Sequence, residues 1–319
     1  MSELLTIGEP MALFAAQDPD VDLKDATHFQ KFLAGAEVNV AIGVSRLGHS
    51  VEYVTRLGAD PMGDYIKDQL KLNHVGTEYI DTTADYLTGF QMKQRVTKGD
   101  PATFYFRKGS AASHLKKEQL DKIHFSELKL AHLTGIFPGT SQQALDAFNY
   151  LLPLLRQHDI PITFDPNLRP TLWSDTETMV RTINGLAAQA DVILPGIHEG
   201  EVLVGSRDPE TIADFFLNNG KYTKTVVVKV GPHGAFIKTK DGQVFDVPGY
   251  KVAKVVDTVG AGDGFAAGFI TGQLEGLSVE ESAKRGNAVG AFGVQSPGDN
   301  DGYPNPAELN QFMAAYERL

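Results

Sequence analysis

Apolar and polar positions follow two rhythms along the chain. In the first third, short apolar runs dominate. Leu4-Leu5-Thr6-Ile7-Gly8 reads as a buried first strand, and Met11 to Ala15 and Phe29 to Leu33 read as two more around a polar, aspartate-rich connection. Val40, Ala41, Val44 and Leu47 recur at helical spacing, which predicts a helix opening at Gly35 and ending at Gly48. Val51 to Leu57 is a strand. Asp60-Pro61 then supplies a cap and a first-position proline for a helix to about Leu72. Phe90 to Thr97 and Ala102 to Gly109 flank Lys98-Gly99-Asp100-Pro101, a β-hairpin signal. Alternation along a strand puts Thr103, Tyr105 and Arg107 on one face and Phe104 and Phe106 on the other.

From Leu128 onward strand and helix patterns alternate. Leu130 to Thr134, Pro161 to Phe164, Val192 to Leu194 and the β-branched run Thr225 to Val230 read as strands. Thr140 to Gln143 fits a capping box for a helix to about His158, Thr176 to Gln189 reads as a helix, and Ser278 to Glu281 caps another. Ala235 to Val247 reads as a hairpin, and Tyr250 to Val256 as a last strand. This alternation predicts an α/β fold, one doubly wound, mostly parallel sheet with helices on both faces, in a single domain over residues 1–319. The strands near 11–34 and 88–109 break the alternation and are read as a small β lid. Ligands in such sheets bind beyond the carboxyl ends of the strands, so Asn167, Arg169 and Gly231, which follow strands, should meet there.

Composition narrows the field. A hydrophobic fraction of 42% and a charged fraction of 22% are ordinary for a globular protein. The net charge of −11 argues against nucleic acid or anionic membranes as partners. With no cysteine, disulfides, thiolate metal sites and cysteine nucleophiles are excluded. The first residues, MSELLTIGEP, lack a basic and apolar leader, and no apolar run approaches a membrane span, so a cytoplasmic location is expected. The nine histidines show no metal-ligand spacing.

The stretch with chemistry in it is Asp257-Thr258-Val259-Gly260-Ala261-Gly262-Asp263-Gly264, followed by apolar residues at helical spacing. A helix's first turn leaves N–H groups unpaired and carries partial positive charge, and glycines let a ligand approach the backbone, a combination that binds phosphate. Asp263 sits inside that turn, where a carboxylate can take a proton from a hydroxyl while the amides of Gly260, Ala261 and Gly262 hold a phosphoryl group. The segment is neither a P-loop nor G-x-G-x-x-G. A glycine-rich strand-to-helix turn is common in any α/β protein and alone favours a purely structural role; the aspartate between glycines is what points to chemistry.

Gly35-Ala36-Glu37-Val38-Asn39-Val40-Ala41 through Leu47-Gly48, with Gly58-Ala59-Asp60-Pro61-Met62-Gly63, resembles the N-terminal signature of ribokinase-like, PfkB-type sugar kinases, and Asp257 to Asp263 resembles their C-terminal signature. Two ordered signatures about 220 residues apart are far more specific than either alone. Gly8-Glu9-Pro10, Gly35 to Asn39, and Phe104 to Ala111 are most similar to the branch that phosphorylates 2-keto-3-deoxygluconate. The resemblance implies that Gly35, Ala36, Glu37, Val38, Asn39, Tyr105, Arg107, Arg169 and Asp263 hold the sugar acid. It places Asn167, Lys229, Gly231, Gly234, Gly260 to Asp263 and Asn287 on the ATP side. Gln91 stands where relatives often carry a tyrosine, so a polar contact replaces an aromatic one. Glu199 survives from a magnesium-linked Asn-x-x-Glu motif whose Asn is here Gly196, and by resemblance Asp257 helps organise cation and phosphate. The implied cofactors are ATP and Mg²⁺, with a monovalent cation beside them. A neutral-sugar kinase for a ketose such as fructose is the nearer rival, and a non-catalytic binding regulator the farther one. Unpaired edges of a lid sheet predict a dimer through the lid.

Overall fold

The computed structural model describes residues 2–99, 101–252, 254–256, 258–296 and 298–315. The main sheet is built from β1 (Leu4–Ile7), β4 (Val51–Gly58), β5 (Ile80–Thr83), β8 (Leu130–Thr134), β9 (Ile162–Asp165), β10 (Val192–Ile193), β11 (Thr225–Lys229), β12 (Gly234–Thr239) and β13 (Val244–Pro248). Its order is β13-β12-β11-β10-β9-β8-β1-β4-β5. Neighbours from β5 through β11 run parallel, and β12 and β13 add an antiparallel hairpin at one edge. A second sheet, in the order β3-β2-β6-β7, comprises β2 (Met11–Pro19), β3 (Phe29–Ala34), β6 (Phe90–Arg95) and β7 (Thr103–Phe106). Within it β2 and β6 pair parallel, although each also belongs to an antiparallel pair.

Helices cover both faces of the main sheet. They are α1 (Ala36–Arg46), α2 (Pro61–Leu72), α3 (Ile136–Gly139), α4 (Gln142–Gln157), α5 (Thr176–Ala187), α6 (Ile197–Val204), α7 (Pro209–Asn219), α8 (Ala261–Leu274), α9 (Val279–Gly293) and α10 (Pro306–Ala315). One core holds apolar residues of α4 to α7 against Ile7, Phe164 and Val228, and the other packs α1, α2, α8 and α9 against Leu4, Val51 and Val227. Two-sided burial explains why Thr225 to Val230 reads as a continuous apolar run. Phe269 of α8 is fully buried, and its truncation to alanine would cost about 3–5 kcal/mol.

The second sheet, over the region read from the sequence as a lid, is tied to the main sheet at its base. Asp60 caps α2 by accepting from the Met62 and Gly63 amides, and its other oxygen accepts from the Thr88 amide at 2.8 Å. The Thr88 hydroxyl in turn accepts from the Gly58 amide at 2.9 Å. One cap therefore sets both a helix start and the entry to β6.

Three sequence expectations change. The cap of α4 is Ser141, which accepts from the Ala144 amide, because the Thr140 hydroxyl is spent on the Phe137 carbonyl at the end of α3. Strand β5 and helix α3 carry patterns too short to stand out. The run Tyr250 to Val256 forms no strand among its described residues: Lys254, Val255 and Val256 are exposed, and the Val256 amide bonds the Val294 carbonyl beyond α9. The glycine turn is thus reached from a loop.

Candidate active site

A cleft of about 650 Å³ lies between the carboxyl ends of the main-sheet strands and the lid. Asp263 is the third residue of α8, whose N-cap is Gly260 at φ 81°, a left-handed conformation that glycine adopts without strain. The Asp263 carboxylate accepts from Asn39 Nδ2 at 2.8 Å and from Asn167 Nδ2 at 3.4 Å. Asn39 Oδ1 accepts from buried Asn300 at 2.8 Å, which fixes the amide end that faces Asp263. Burial raises the Asp263 pKa, the Asn39 bond opposes this, and the nearby Asp165 carboxylate adds to it. A base with raised affinity for a proton results.

The turn around Asp263 departs in one detail from the expected anion site. The Ala261 amide is committed to the Thr258 carbonyl at 3.3 Å. The Gly262 and Asp263 amides lie in the helix's first turn, which offers them no intrahelical acceptor. The Gly260 carbonyl is held by the Gly264 amide at 2.8 Å and by the hydroxyl of buried Tyr303 at 2.5 Å. Lys229 Nζ lies 3.7 Å from where a Cβ on Gly262 would stand. The cation therefore stands in van der Waals reach of the turn.

Lys229 ends β11 and pairs with Asp165 at 2.5 Å. Burial pulls its pKa down, but Asp165 and Glu199 more than offset this, so it is raised and the ammonium persists. Glu199, in the first turn of α6, accepts from the Gly196 amide at 2.7 Å and the Leu168 amide at 2.9 Å. Burial, then Asp165, raises its pKa. Asn167 adopts φ 39°, and its amide bonds Asp165 at 3.2 Å. Strained backbone of this kind gathers at functional sites. Among the described residues no group of three or more His, Cys, Asp or Glu side chains is arranged to hold a metal ion. Asp257 lies outside the described residues.

A second cavity of about 450 Å³ adjoins the first, sharing Lys229, Gly231, Pro232, Thr258 and Gly262 with it. Its other walls include Gly234, Tyr250, Val252, Phe265 and Val294, an apolar slot of the kind that takes a planar ring. Asn287 also lines it, with its amide donating to the Val247 and Pro248 carbonyls at 3.1 Å.

Most of the remaining predicted residues line the first cleft. Gly35, Ala36, Glu37, Gln91, Tyr105, Arg107 and Arg169 line it, whereas Val38 turns its side chain into the core. Gln91 pairs directly across from Tyr105, so polar and aromatic side chains stand together there. Arg169 is exposed, and its Nη1 donates to the Leu168 carbonyl. Arg107 forms an ion pair with buried Glu9. Glu37 accepts from the Thr134 hydroxyl at 2.5 Å, and burial pushes its pKa to about 7. Residues of the site that were not singled out from the sequence include Glu9, Lys93, Asp165, Asn300 and Tyr303. Asp165 stands in the Asp165-Pro166-Asn167 turn and Glu9 in Gly8-Glu9-Pro10, so both had a local signal; Asn300 and Tyr303 had none.

A family model described as pfkB family carbohydrate kinase matches residues 1–306. The chain is 43% identical over 314 residues to 2-dehydro-3-deoxygluconokinase of Bacillus subtilis, a match covering 98% of this chain and 96% of that one. A solved PfkB protein from Polaromonas sp. JS666 is 42% identical, with a TM-score of 0.89 over 97% of this chain and 99% of that one. An uncharacterised sugar kinase from Pyrococcus horikoshii, solved in complex with ATP, is 26% identical, with a TM-score of 0.80 over 98% and 99% of the two chains.

Proposed function

The chain belongs to the pfkB family of carbohydrate kinases, and we infer that it transfers the terminal phosphoryl group of ATP to the 6-hydroxyl of 2-keto-3-deoxygluconate. The observation that carries this reading is the meeting of three groups in one cleft: Asp263 at the head of α8, and Arg107 and Arg169 from the lid and the strand edge. The kinship with the Bacillus subtilis enzyme supports the same substrate. Arginine recognises a planar carboxylate through a fork of donors that lysine lacks.

In this reading the apolar slot takes the adenine and the shared turn takes the phosphates. The sugar hydroxyl oxygen forms a bond to the γ-phosphorus, the bond from that phosphorus to the β–γ bridging oxygen breaks, and ADP leaves. The hydroxyl proton passes to Asp263. The Gly262 and Asp263 amides and the Lys229 ammonium stabilise charge on the transferring group, the larger task in this chemistry. Magnesium bound with ATP would neutralise phosphate charge. Asp165 and Glu199 fit a water-mediated hold on it, since both are already engaged by Lys229 or backbone amides. A monovalent-cation requirement belongs to the same reading and is tested by exchanging potassium for a bulky organic cation.

The lid supports a dimer. Its outer face presents Phe104 at 61% and Phe106 at 45% exposure, with Phe106 stacked on Phe90 at 4.5 Å. A second copy of the same face would bury these rings. A cytoplasmic location completes the reading; among the described residues no helix is long and apolar enough to cross a membrane.

One observation favours a neutral ketose such as fructose instead: the charge of Arg107 is already compensated by Glu9. The test is phosphorus NMR of the product after incubation with ATP and the keto acid. A phosphomonoester on C6 supports the reading. ADP and free phosphate without a sugar phosphate would reject it.

A further inference from the structure

Glu9 is a buried charged side chain that ties both ends of the β6–β7 hairpin and has no role in the chemistry above. It lies between β1 and β2, is 2% exposed, and is followed by Pro10. Its Oε2 accepts from Arg107 Nε at 2.8 Å and Nη2 at 2.5 Å, and its Oε1 accepts from the Ser110 hydroxyl at 2.5 Å. A Cβ on Gly89, just before β6, would stand 2.6 Å from Oε1. The start of β6 and the end of β7 thus converge on one carboxylate.

A buried ion pair is a poor device for stability, because desolvating two charges consumes most of the attraction between them. What it supplies here is direction. A guanidinium presents two bidentate edges, and Glu9 occupies the one that includes Nε. The edge carrying Nη1 is left, on a side chain that lines the sugar side of the cleft.

We propose that Glu9 is a positioning residue for sugar-acid recognition: it holds Arg107 by the Nε edge so that the Nη1 edge meets the substrate carboxylate. This rests on the sugar-acid kinase reading. It implies that the cleft selects an anion by the aim of a fixed, charge-compensated arginine as well as by the open charge of Arg169. An unaimed arginine would keep its charge and lose its fork geometry.

The test is a kinetic cycle on the full-length enzyme with ATP and 2-keto-3-deoxygluconate. Glu9→Ala should raise KM for the keto acid roughly 10-fold or more while KM for ATP stays within about 2-fold, since misplaced positioning groups cost up to about 100-fold. Glu9→Gln, which keeps an acceptor oxygen, should recover most of that loss. In an Arg107→Leu background, Glu9→Ala should have no further effect on the keto-acid KM, because the two residues act as one unit. Ser110→Ala, a milder change that leaves the pair in place, should raise the same KM about 2–5-fold, and it decides the matter if Glu9→Ala does not fold. The proposal is overturned if both KM values rise together, if the Glu9→Ala effect persists without Arg107, or if the keto-acid KM is unmoved in every variant. A wild-type enzyme inert toward the keto acid would reject the kinase reading itself. An active wild type with indifferent variants would reject only the positioning role.

Discussion

The two sheets that enclose the cleft treat their side chains in opposite ways. The main sheet is covered by helices on both faces, and the groups it sends to the cleft are locked in place: Asp165 to Lys229, and Asp263 to Asn39 and Asn167. The lid has one face toward the ligand and another that leaves Phe104 and Phe106 exposed. A rigid, buried framework suits a reaction that depends on charge held in fixed positions. A thin sheet anchored at Asp60 and Glu9 suits the choice of substrate, since its residues alter without disturbing the core. In the proposed reading the chemistry falls to the main sheet, and the lid shares the selection of substrate with Arg169 at the strand edge.

That division breaks first at Asp263. Asp263→Asn should lower kcat by roughly 100-fold or more, the usual worth of a general base, with ATP affinity near normal by calorimetry. A variant that keeps more than about a tenth of wild-type kcat would take the base role from it. On the lid side, Arg107→Leu should raise KM for the sugar acid about 10–100-fold, the worth of hydrogen bonds to a charged group, with KM for ATP nearly unchanged. Equal losses for both substrates would indicate a folding defect and dissolve the division.

Two buried groups, Glu37 in the cleft wall and His132 of β8, offer a pH test. Folded Glu37 keeps its proton up to about pH 7, while the unfolded chain loses it in the ordinary carboxylate range. Its contribution to stability is therefore full at low pH and falls as pH rises toward 7, by about 3 kcal/mol. Burial lowers buried His132 to about 4, so the unfolded chain binds the extra proton and stability rises from about pH 4 to 6.5 by a similar amount. The two slopes oppose each other. Relative to the wild type, Glu37→Gln should shift the dependence of stability on pH across this range upward in urea titrations, and His132→Asn should shift it downward. Two variants with the wild-type slope would contradict this. The smallest effect on chemistry is expected at the lid's outer face. Phe104→Ser with Phe106→Ser should halve the mass in solution, if the wild type is a dimer, and leave kcat within about 2-fold, because neither ring reaches the cleft.

Much of the architecture was legible because it follows from periodicity. The buried run Thr225 to Val230, the Asp60-Pro61 helix start and the alternation of Tyr105 with Phe104 and Phe106 each reflect a local rule that the fold obeys. Tyr250 to Val256 reads as a strand because valines alternate with lysines, yet the pattern cannot show whether a partner strand exists, and no strand forms among its described residues. The turn at Gly260 to Asp263 was legible because its chemistry is contiguous. Asn300 and Tyr303 were not, since they reach Asn39 and Gly260 from across the chain and carry no local pattern. Glu9 stood in view within Gly8-Glu9-Pro10, but only the distance to Arg107 gives it a task.

The central claim is that one cleft joins a phosphoryl-transfer base to carboxylate recognition. It is tested most directly by comparing kcat/KM for 2-keto-3-deoxygluconate and for fructose in a coupled ADP-release assay. The predicted result is a preference for the acid of at least about 100-fold, the discrimination expected when buried donors lose their partner. Equal turnover of the two sugars, or a preference for fructose, would contradict it.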